Sequence, residues 1–306
     1  MGVAYRTPAV AATRGVAARA RVGGLWLAVP VCGRYALRRD VGDLVTEFEV
    51  DDDTLSAPAP GDPVVTLSTN TAPTTTPPVV LERFRKGEPD APPSRSLRAL
   101  RWGLVPSWSK DASGAARMVN ARVETLLSKP AFGEAALTRR CLVPVDAWYE
   151  WQTSATARTP DGKPLKQPFA VAAADGSVLS LAGIYEFWKD PAKAADDPTR
   201  WLVSFAVVTT EAEPGLDRLH ERMPLVVPRE LRDAWLDPTV DDAEEVEELL
   251  GVMPRDLFAT ELAAWPVSRR VGNVRTTDDD LLTEVLPAEL EGVLDLRTGE
   301  LIGSGA

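Results

Sequence analysis

The sequence is poor in cysteine and histidine, with two of the first and one of the second in 306 residues. Two thiols cannot form a disulfide framework in a chain this long, which suits a reducing compartment and predicts a cytoplasmic protein. Cys32, Cys141 and His220 include no close-spaced pair and supply three ligands at most. No metal site is therefore expected. No apolar run approaches the ~20 residues that cross a bilayer, so no membrane partner is expected. A basic excess is missing too. The net charge is −11, and on charge alone a nucleic-acid partner is disfavoured. The acid is uneven, however, and much of it lies in residues 40–53 and 237–248. A local arginine cluster elsewhere remains open.

Residues 1–31 lack aspartate and glutamate, carry Arg6, Arg14, Arg19 and Arg21, and have no core pattern. They read as a leader outside the mature protein. Residues 32–285 read as one domain and residues 286–306 as a partly ordered tail. Val41, Leu44, Val45 and Phe48 share one helical face, with Asp40 as N-cap. Short β-like runs then dominate, over residues 64–67, 78–81, 96–104, 140–145, 147–151, 168–173, 178–188 and 201–210. Asp175-Gly176 between two of them is a hairpin signal. Helical interruptions are expected near residues 124–137, 228–236 and 241–249. The expected fold is α+β, a single domain on a mixed, strongly curved, barrel-like β-sheet with a few flanking helices.

Several short segments are dense in polar, aromatic and proline residues where plain strands would alternate. They are Cys32-Gly33-Arg34-Tyr35, Asn70-Thr71-Ala72-Pro73-Thr74, Arg101 to Trp108, Asn120-Ala121-Arg122-Val123-Glu124-Thr125, Arg140 to Pro144, Trp148-Tyr149-Glu150-Trp151 and Leu219 to Pro224. Taken alone, each has a plain reading. A lone cysteine is usually inert core, and for Cys141 on an apparent strand that reading is adopted. Asn120 and Glu124 fit a helix start. Glu150 is either an edge-strand surface charge or a buried acid with a raised pKa, and composition favours the first. A single histidine is more often structural than catalytic. Trp102 and Trp108, each taken singly, read as core.

In this order, and with Pro266-Val267-Ser268 and Val271-Gly272-Asn273-Val274 at the far end, the set resembles the SOS response-associated peptidase (SRAP) family over residues 32–275. The resemblance implies a DNA-repair protein that covalently captures abasic sites in single-stranded DNA, without any cofactor. Cys32 would be the first residue of the mature chain, exposed by autoproteolysis or by translation starting at Val31. An N-terminal cysteine offers an α-amine with a pKa of about 7.7–8.0 and a thiol of about 8.5 on adjacent carbons. Such a pair closes a thiazolidine ring on an aldehyde. The resemblance gives Asn120 an orienting role, Glu150 a proton-shuttling role that reverses the surface reading, and His220 an acid role at the sugar.

Arg34, Arg122 and Arg222 would bind phosphates, Trp102 and Trp108 would stack on bases, and Pro73 would wedge beside the lesion. Val123 stands where the family has serine. β-Elimination (lyase) activity at the lesion is a further implication. Two alternatives stay open from sequence. One is a cysteine peptidase built on Cys32, His220 and a carboxylate or Asn120. The other is a non-catalytic single-strand-binding module.

Overall fold

β-Branched and aromatic residues recur at alternate positions through much of the chain, and the computed structural model shows what that alternation builds. It describes residues 32–302 apart from residues 86, 89 and 90, so the leader reading falls outside the described residues. In chain order the strands begin with β1 (Tyr35–Leu37), β2 (Asp52–Asp53), β3 (Ser68–Thr71), β4 (Pro78–Arg83) and β5 (Ser94–Ala99). Next come β6 (Arg101–Trp102), β7 (Asn120–Arg122), β8 (Arg140–Val145), β9 (Ala147–Arg158), β10 (Pro164–Ala173) and β11 (Leu179–Lys189). The last are β12 (Trp201–Glu211), β13 (Arg222–Pro224), β14 (Leu262–Pro266), β15 (Val293–Leu294) and β16 (Leu301–Ile302). The helices are short: α1 (Val41–Glu47), α2 (Gly133–Thr138), α3 (Arg232–Leu236), α4 (Ala243–Gly251) and α5 (Leu257–Thr260). The architecture is α+β, with extensive sheet and few helices.

The single barrel-like sheet expected from the sequence is replaced by two large open ones, and β15 and β16 pair with each other apart from both. One runs β14-β10-β9-β1-β3; the other runs β13-β12-β11-β8-β4-β5-β2, with β6 and β7 parallel to β12. The cause is local: consecutive strands change sheets instead of pairing. β8 and β9 part at Asp146, whose carboxylate accepts from the Arg38 amide and holds the Arg39 guanidinium at 2.9 Å. β10 and β11 part at Asp175-Gly176, which is a turn between sheets and not a hairpin. Gly176 takes the positive φ of 76° that this turn needs, and the Asp175 carboxylate accepts the Ser177 amide.

Period-two alternation sets what each face buries. Tyr35, Leu37, Trp148, Phe169 and Val171 of the smaller sheet join Val79, Leu81, Cys141, Val143, Phe205 and Val207 of the larger in one core. Ala36, Ala147, Tyr149, Ala170 and Ala172 face the other way, onto Val267, Val271 and Leu281. Helix α1 lays Leu44 and Phe48 into the main core as its spacing predicts, although Asp40 makes no side-chain cap. The run at 64–67 forms no strand, and Val64 is exposed. Residues 290–296 are packed in: Leu290, Val293 and Leu296 are buried, and the Gln152 amide bonds both backbone groups of Leu294.

Buried Arg140 donates to the Ala136 and Leu137 carbonyls at the end of α2 and to those of Trp235 and Asp237 at the end of α3. It thereby satisfies helix-end acceptors that burial would otherwise leave unpaired, and it pins both helices to β8.

Cys141 is a packing residue in this core. A Cβ on Gly183, its partner across β8 and β11, would lie 2.8 Å from the Cys141 Sγ and 3.2 Å from Val143 Cγ2. Gly183→Ala is therefore expected to cost about 1–3 kcal/mol by overpacking, and adding Cys141→Ala should recover part of that loss. Urea denaturation of the two single variants and the double variant measures it. Strictly additive losses would show that the contact does not exist.

Candidate active site

Cys32 precedes β1 and is fully buried, with a positive φ of 45°. A non-glycine residue in that region carries backbone strain of order ~1–2 kcal/mol. Its nitrogen donates to Glu150 Oε1 at 2.6 Å. Position 150 follows from strand alternation in β9: Trp148 faces the main core, whereas Tyr149 and Trp151 pack on the second cluster. Glu150 thus enters the interior beside Cys32 and is 5% exposed. The surface reading that composition favoured is not what the fold does.

Burial pushes the Glu150 carboxyl up to about 8, opposed by hydrogen bonds from the Cys32 and Trp151 amides. The Cys32 thiol is pushed well above its ordinary range, first by burial and then by the neighbouring Glu150 charge. The pair is a carboxyl able to exchange protons near neutrality, against a nitrogen and a thiol of the same residue.

A second group gathers along the distal half of β12. β7 pairs with it so that Asn120 stands beside Val207 and Arg122 beside Thr209; β13 places Arg222 beside Glu211 on its other side. Arg122 is exposed. Arg222 is buried, binding Glu124 at 2.7 Å and the Thr209 carbonyl at 2.5 Å. The sequence offered Arg222 as a phosphate ligand; here its guanidinium is engaged by protein acceptors, and it locks β13 to the segment after β7. His220 is half-buried, and its Nδ1 accepts the Arg222 amide at 3.1 Å, which leaves the proton on Nε2. Burial lowers its pKa, opposed by Glu221 and aided by Arg222 and Arg122. It is a neutral donor at pH 7.

Tyr35 and Trp102 connect the two groups. Their rings lie 5.0 Å apart, and Trp102 Nε1 donates to the Val119 carbonyl, one residue before Asn120. Trp102 is fully buried, stacked at 10° on Phe205, so its faces are occupied by core and not open to a base. Trp108, in contrast, is 67% exposed. Pro73 is partly exposed in the loop whose Thr74, also at positive φ, donates its amide to the Trp102 carbonyl.

Arg34 donates to Asn70 Oδ1 at 2.8 Å and to the Val271 carbonyl, with its guanidinium 6.0 Å above Trp151. Asn70 and Trp151 were quoted within motifs but given no role from sequence. Asn70 is buried, and its amide nitrogen reaches the carbonyls of Val271, Asn273 and Thr276. It ties the C-terminal motif to Arg34. No signal in the sequence distinguishes such an asparagine from a turn residue. Among the described residues no group of three or more His, Cys, Asp or Glu is placed to hold a metal ion. No described helix is long and apolar enough to cross a membrane.

A buried cysteine whose own nitrogen is held by a buried acid, with asparagine, arginine and histidine gathered on and beside the strands that flank β12, defines a cysteine-centred site. Residues 31–274 match the model of the SOS response associated peptidase (SRAP) family, and the chain belongs to that family. It is 29% identical to abasic site processing protein YoqW of Bacillus subtilis over 252 residues, 82% of this chain and 99% of that one. It is 28% identical to abasic site processing protein YedK of Escherichia coli over 256 residues, 83% and 100%. A crystal structure of a Bacteroides thetaiotaomicron protein superimposes with a TM-score of 0.65 at 21% identity, covering 83% of this chain and all of that one. That likeness concerns the fold.

The Glu150 environment makes stability depend on pH. In the folded chain carrying residues 1–31 its carboxyl keeps a proton that the unfolded chain releases above the ordinary value near 4.5. The contribution is full below that value and is lost as pH rises through about 8, at up to roughly 1.4 kcal/mol per pH unit. Glu150→Gln is expected to remove this slope while keeping the shape. Chemical denaturation of both proteins between pH 5 and 9 tests it, and parallel curves would mean that the carboxyl is not held protonated.

Proposed function

We propose that this chain captures abasic sites in single-stranded DNA covalently, through a thiazolidine formed by the α-amine and thiol of Cys32. The observation that carries the reading is the 2.6 Å contact between the Cys32 nitrogen and the buried Glu150 carboxyl. The family membership and the names of its relatives give the substrate class. In the reaction the amine attacks the aldehyde of the ring-opened sugar, and loss of one water leaves an imine. The thiol sulfur adds to the imine carbon, its proton passes to the nitrogen, and the five-membered ring closes. Glu150 accepts the ammonium proton at the start and returns one to the departing hydroxyl. His220, through Nε2–H, donates a hydrogen bond to the sugar ring oxygen as it opens, while the proton that oxygen takes up is the one the anomeric hydroxyl releases through solvent, and Asn120 orients the amine or the sugar.

The mechanism needs a free α-amine, so the bond between Val31 and Cys32 must be absent from the active form, by self-cleavage or by initiation at Val31. The positive φ at Cys32 favours this reading, because a chain that begins there has no φ to strain. β-Elimination through the same imine gives lyase activity as a side path. The peptidase reading on other proteins receives less support: Glu150 engages the Cys32 nitrogen, whereas His220 is engaged with the Arg222 amide.

Protein beginning at Cys32 is expected to form an adduct with an abasic oligonucleotide that survives denaturing electrophoresis without borohydride. Cys32→Ala should abolish the adduct and Cys141→Ala should keep it. Equal crosslinking by both variants, or by a chain that intact mass shows still begins at Met1, would overturn the chemistry.

Arg122 and Arg222 should separate in a salt titration of non-covalent binding. Exposed Arg122 supplies a phosphate contact, so Arg122→Ala should flatten the slope of log affinity against log salt by about 0.7. Arg222→Ala should instead lower the unfolding free energy, since it leaves a buried carbonyl unpaired and Glu124 without its partner. Identical slope changes would erase this division of roles.

A further inference from the structure

The two ends of β12 differ. Its distal half carries the site just described, while Trp201 at its start borders a groove of about 940 Å³ on the opposite end of the larger sheet. Six residues of strand separate Trp201 from Val207, the partner of Asn120, which is about 20 Å at ~3.3 Å per residue. The groove is lined by Arg83 at the end of β4, by residues 98–101 at the end of β5 and the start of β6, by the end of β11 and the start of β12, and by the loops at residues 61–63 and 190–199. These strands continue the face that is apolar core further in, but here the positions are Arg83, Arg98, Phe187 and Trp201.

Cations dominate this groove in an acidic chain. Arg83, Arg98, Arg101 and Lys193 line it, against the two carboxylates of Asp62 and Asp190. Both carboxylates are occupied by backbone amides, Asp62 by Ala59 and Asp190 by Ala192. The guanidiniums are different. Arg95, Arg139, Arg222, Arg232 and Arg270 each hold a carboxylate. Among the described residues, Arg83, Arg98 and Arg101 form no ion pair and donate no side-chain hydrogen bond. Arg98 and Arg101 are nevertheless half-buried, so part of their hydration is given up without a partner in return.

Aromatic rings stand among these charges. Arg83 lies 5.8 Å above Phe187, and Trp201 is 56% exposed with Lys189 at 5.6 Å. Burial raises the pKa of Tyr185, two residues before Phe187 on the same face, and the nearby charges of Arg83, Arg139 and Arg98 oppose that rise. Unpaired guanidiniums spaced along an aromatic-floored channel match a ligand with repeated negative charge and flat rings. A bare anion would use the arginines but give the rings nothing to do. A protein partner would not need uncompensated guanidiniums at three positions.

We propose that this groove is a second, non-covalent binding site for single-stranded nucleic acid, with Arg83, Arg98 and Arg101 on phosphates and Phe187 and Trp201 stacking on bases. It lies apart from the covalent site. The loop between them carries exposed Trp108, and Ala112 of that same loop lines the groove. The inference extends the single-strand reading above, but its test uses intact DNA and the full chain, so it does not depend on capture chemistry.

The experiment is fluorescence anisotropy with an intact oligothymidylate of about 20 nucleotides, for wild type and for Arg98→Ala, Arg101→Ala and Trp201→Ala, across a salt series. Each arginine variant is expected to bind more weakly, with a log–log salt slope shallower by about 0.7. Trp201→Ala should lose about 5-fold or more in affinity at unchanged slope, as removal of one stacked base does. In a parallel arm, an abasic trinucleotide with the lesion at its centre reaches only one nucleotide to either side, well short of the roughly 20 Å to the groove, so its adduct yield should be the same in all three variants and wild type. Unchanged long-strand affinity and slope in all three variants would overturn the proposal. So would arginine variants that lose heparin and DNA equally while Trp201→Ala loses nothing, which would mark a bare polyanion patch. Failure of wild type to capture abasic DNA would count against the covalent reading and leave the groove's test intact.

Discussion

The structure around Cys32 depends on one costly arrangement, a carboxyl buried to 5% exposure with a main-chain nitrogen as its close partner. An isolated carboxylate in such a place is expelled or neutralised. Here two backbone amides offset part of the cost, and the remaining imbalance holds the group near pH 8. Among the described residues no arginine or lysine neutralises it. That omission keeps the acid able to change protonation state near neutrality, whereas an ion pair would fix it as a permanent anion.

The rest of the smaller sheet fixes where that carboxyl points. β1 is only three residues long, yet it pairs with β9 on one side and β3 on the other, and the amide of Tyr149 donates to the Arg34 carbonyl. The cysteine is therefore delivered by a short strand clamped at both edges. Asn70 and Arg34 extend the clamp to residues 271–276, which cover the second face of the sheet. A one-residue slip of β9 would exchange Glu150 for an aromatic and turn the acid outward, so register and chemistry are a single constraint.

Much of this was legible in the residues, for stated reasons. Periodicity found β8 and β10 to β12 because their alternation is long and ends at turn residues. It failed at 64–67, where β-branched residues lie in an exposed loop, and at Asp175-Gly176, whose chemistry specifies a turn but not which sheet the next strand joins. Sheet membership is decided by tertiary pairing, and that is why one curved sheet was expected where two large ones are found. Trp102 and Trp108 are six residues apart in the same motif, and nothing local says that one is core and the other open. Arg122 and Arg222 pose the same problem: whether an arginine meets solvent or a carboxylate depends on Glu124, 98 residues before Arg222 in the chain.

Net charge is a poor guide for a related reason. An average of −11 says nothing about where unpaired charge resides, and in this fold Arg95, Arg139, Arg222, Arg232 and Arg270 are paired with the chain's own carboxylates. What a polyanion would meet is the remainder: Arg122 beside the distal half of β12 and the arginines at the far end of the same strand. Ion pairing consumes positive charge where stability uses it, and leaves cations uncompensated where the nearby carboxylates are held by other groups. At salt concentrations that shorten the Debye length to about 8 Å, those local cations govern association more than the distant acid does. An acidic protein can therefore hold a phosphate backbone, provided that its carboxylates are kept busy with its own backbone and arginines, as Asp62, Asp190 and Glu124 are.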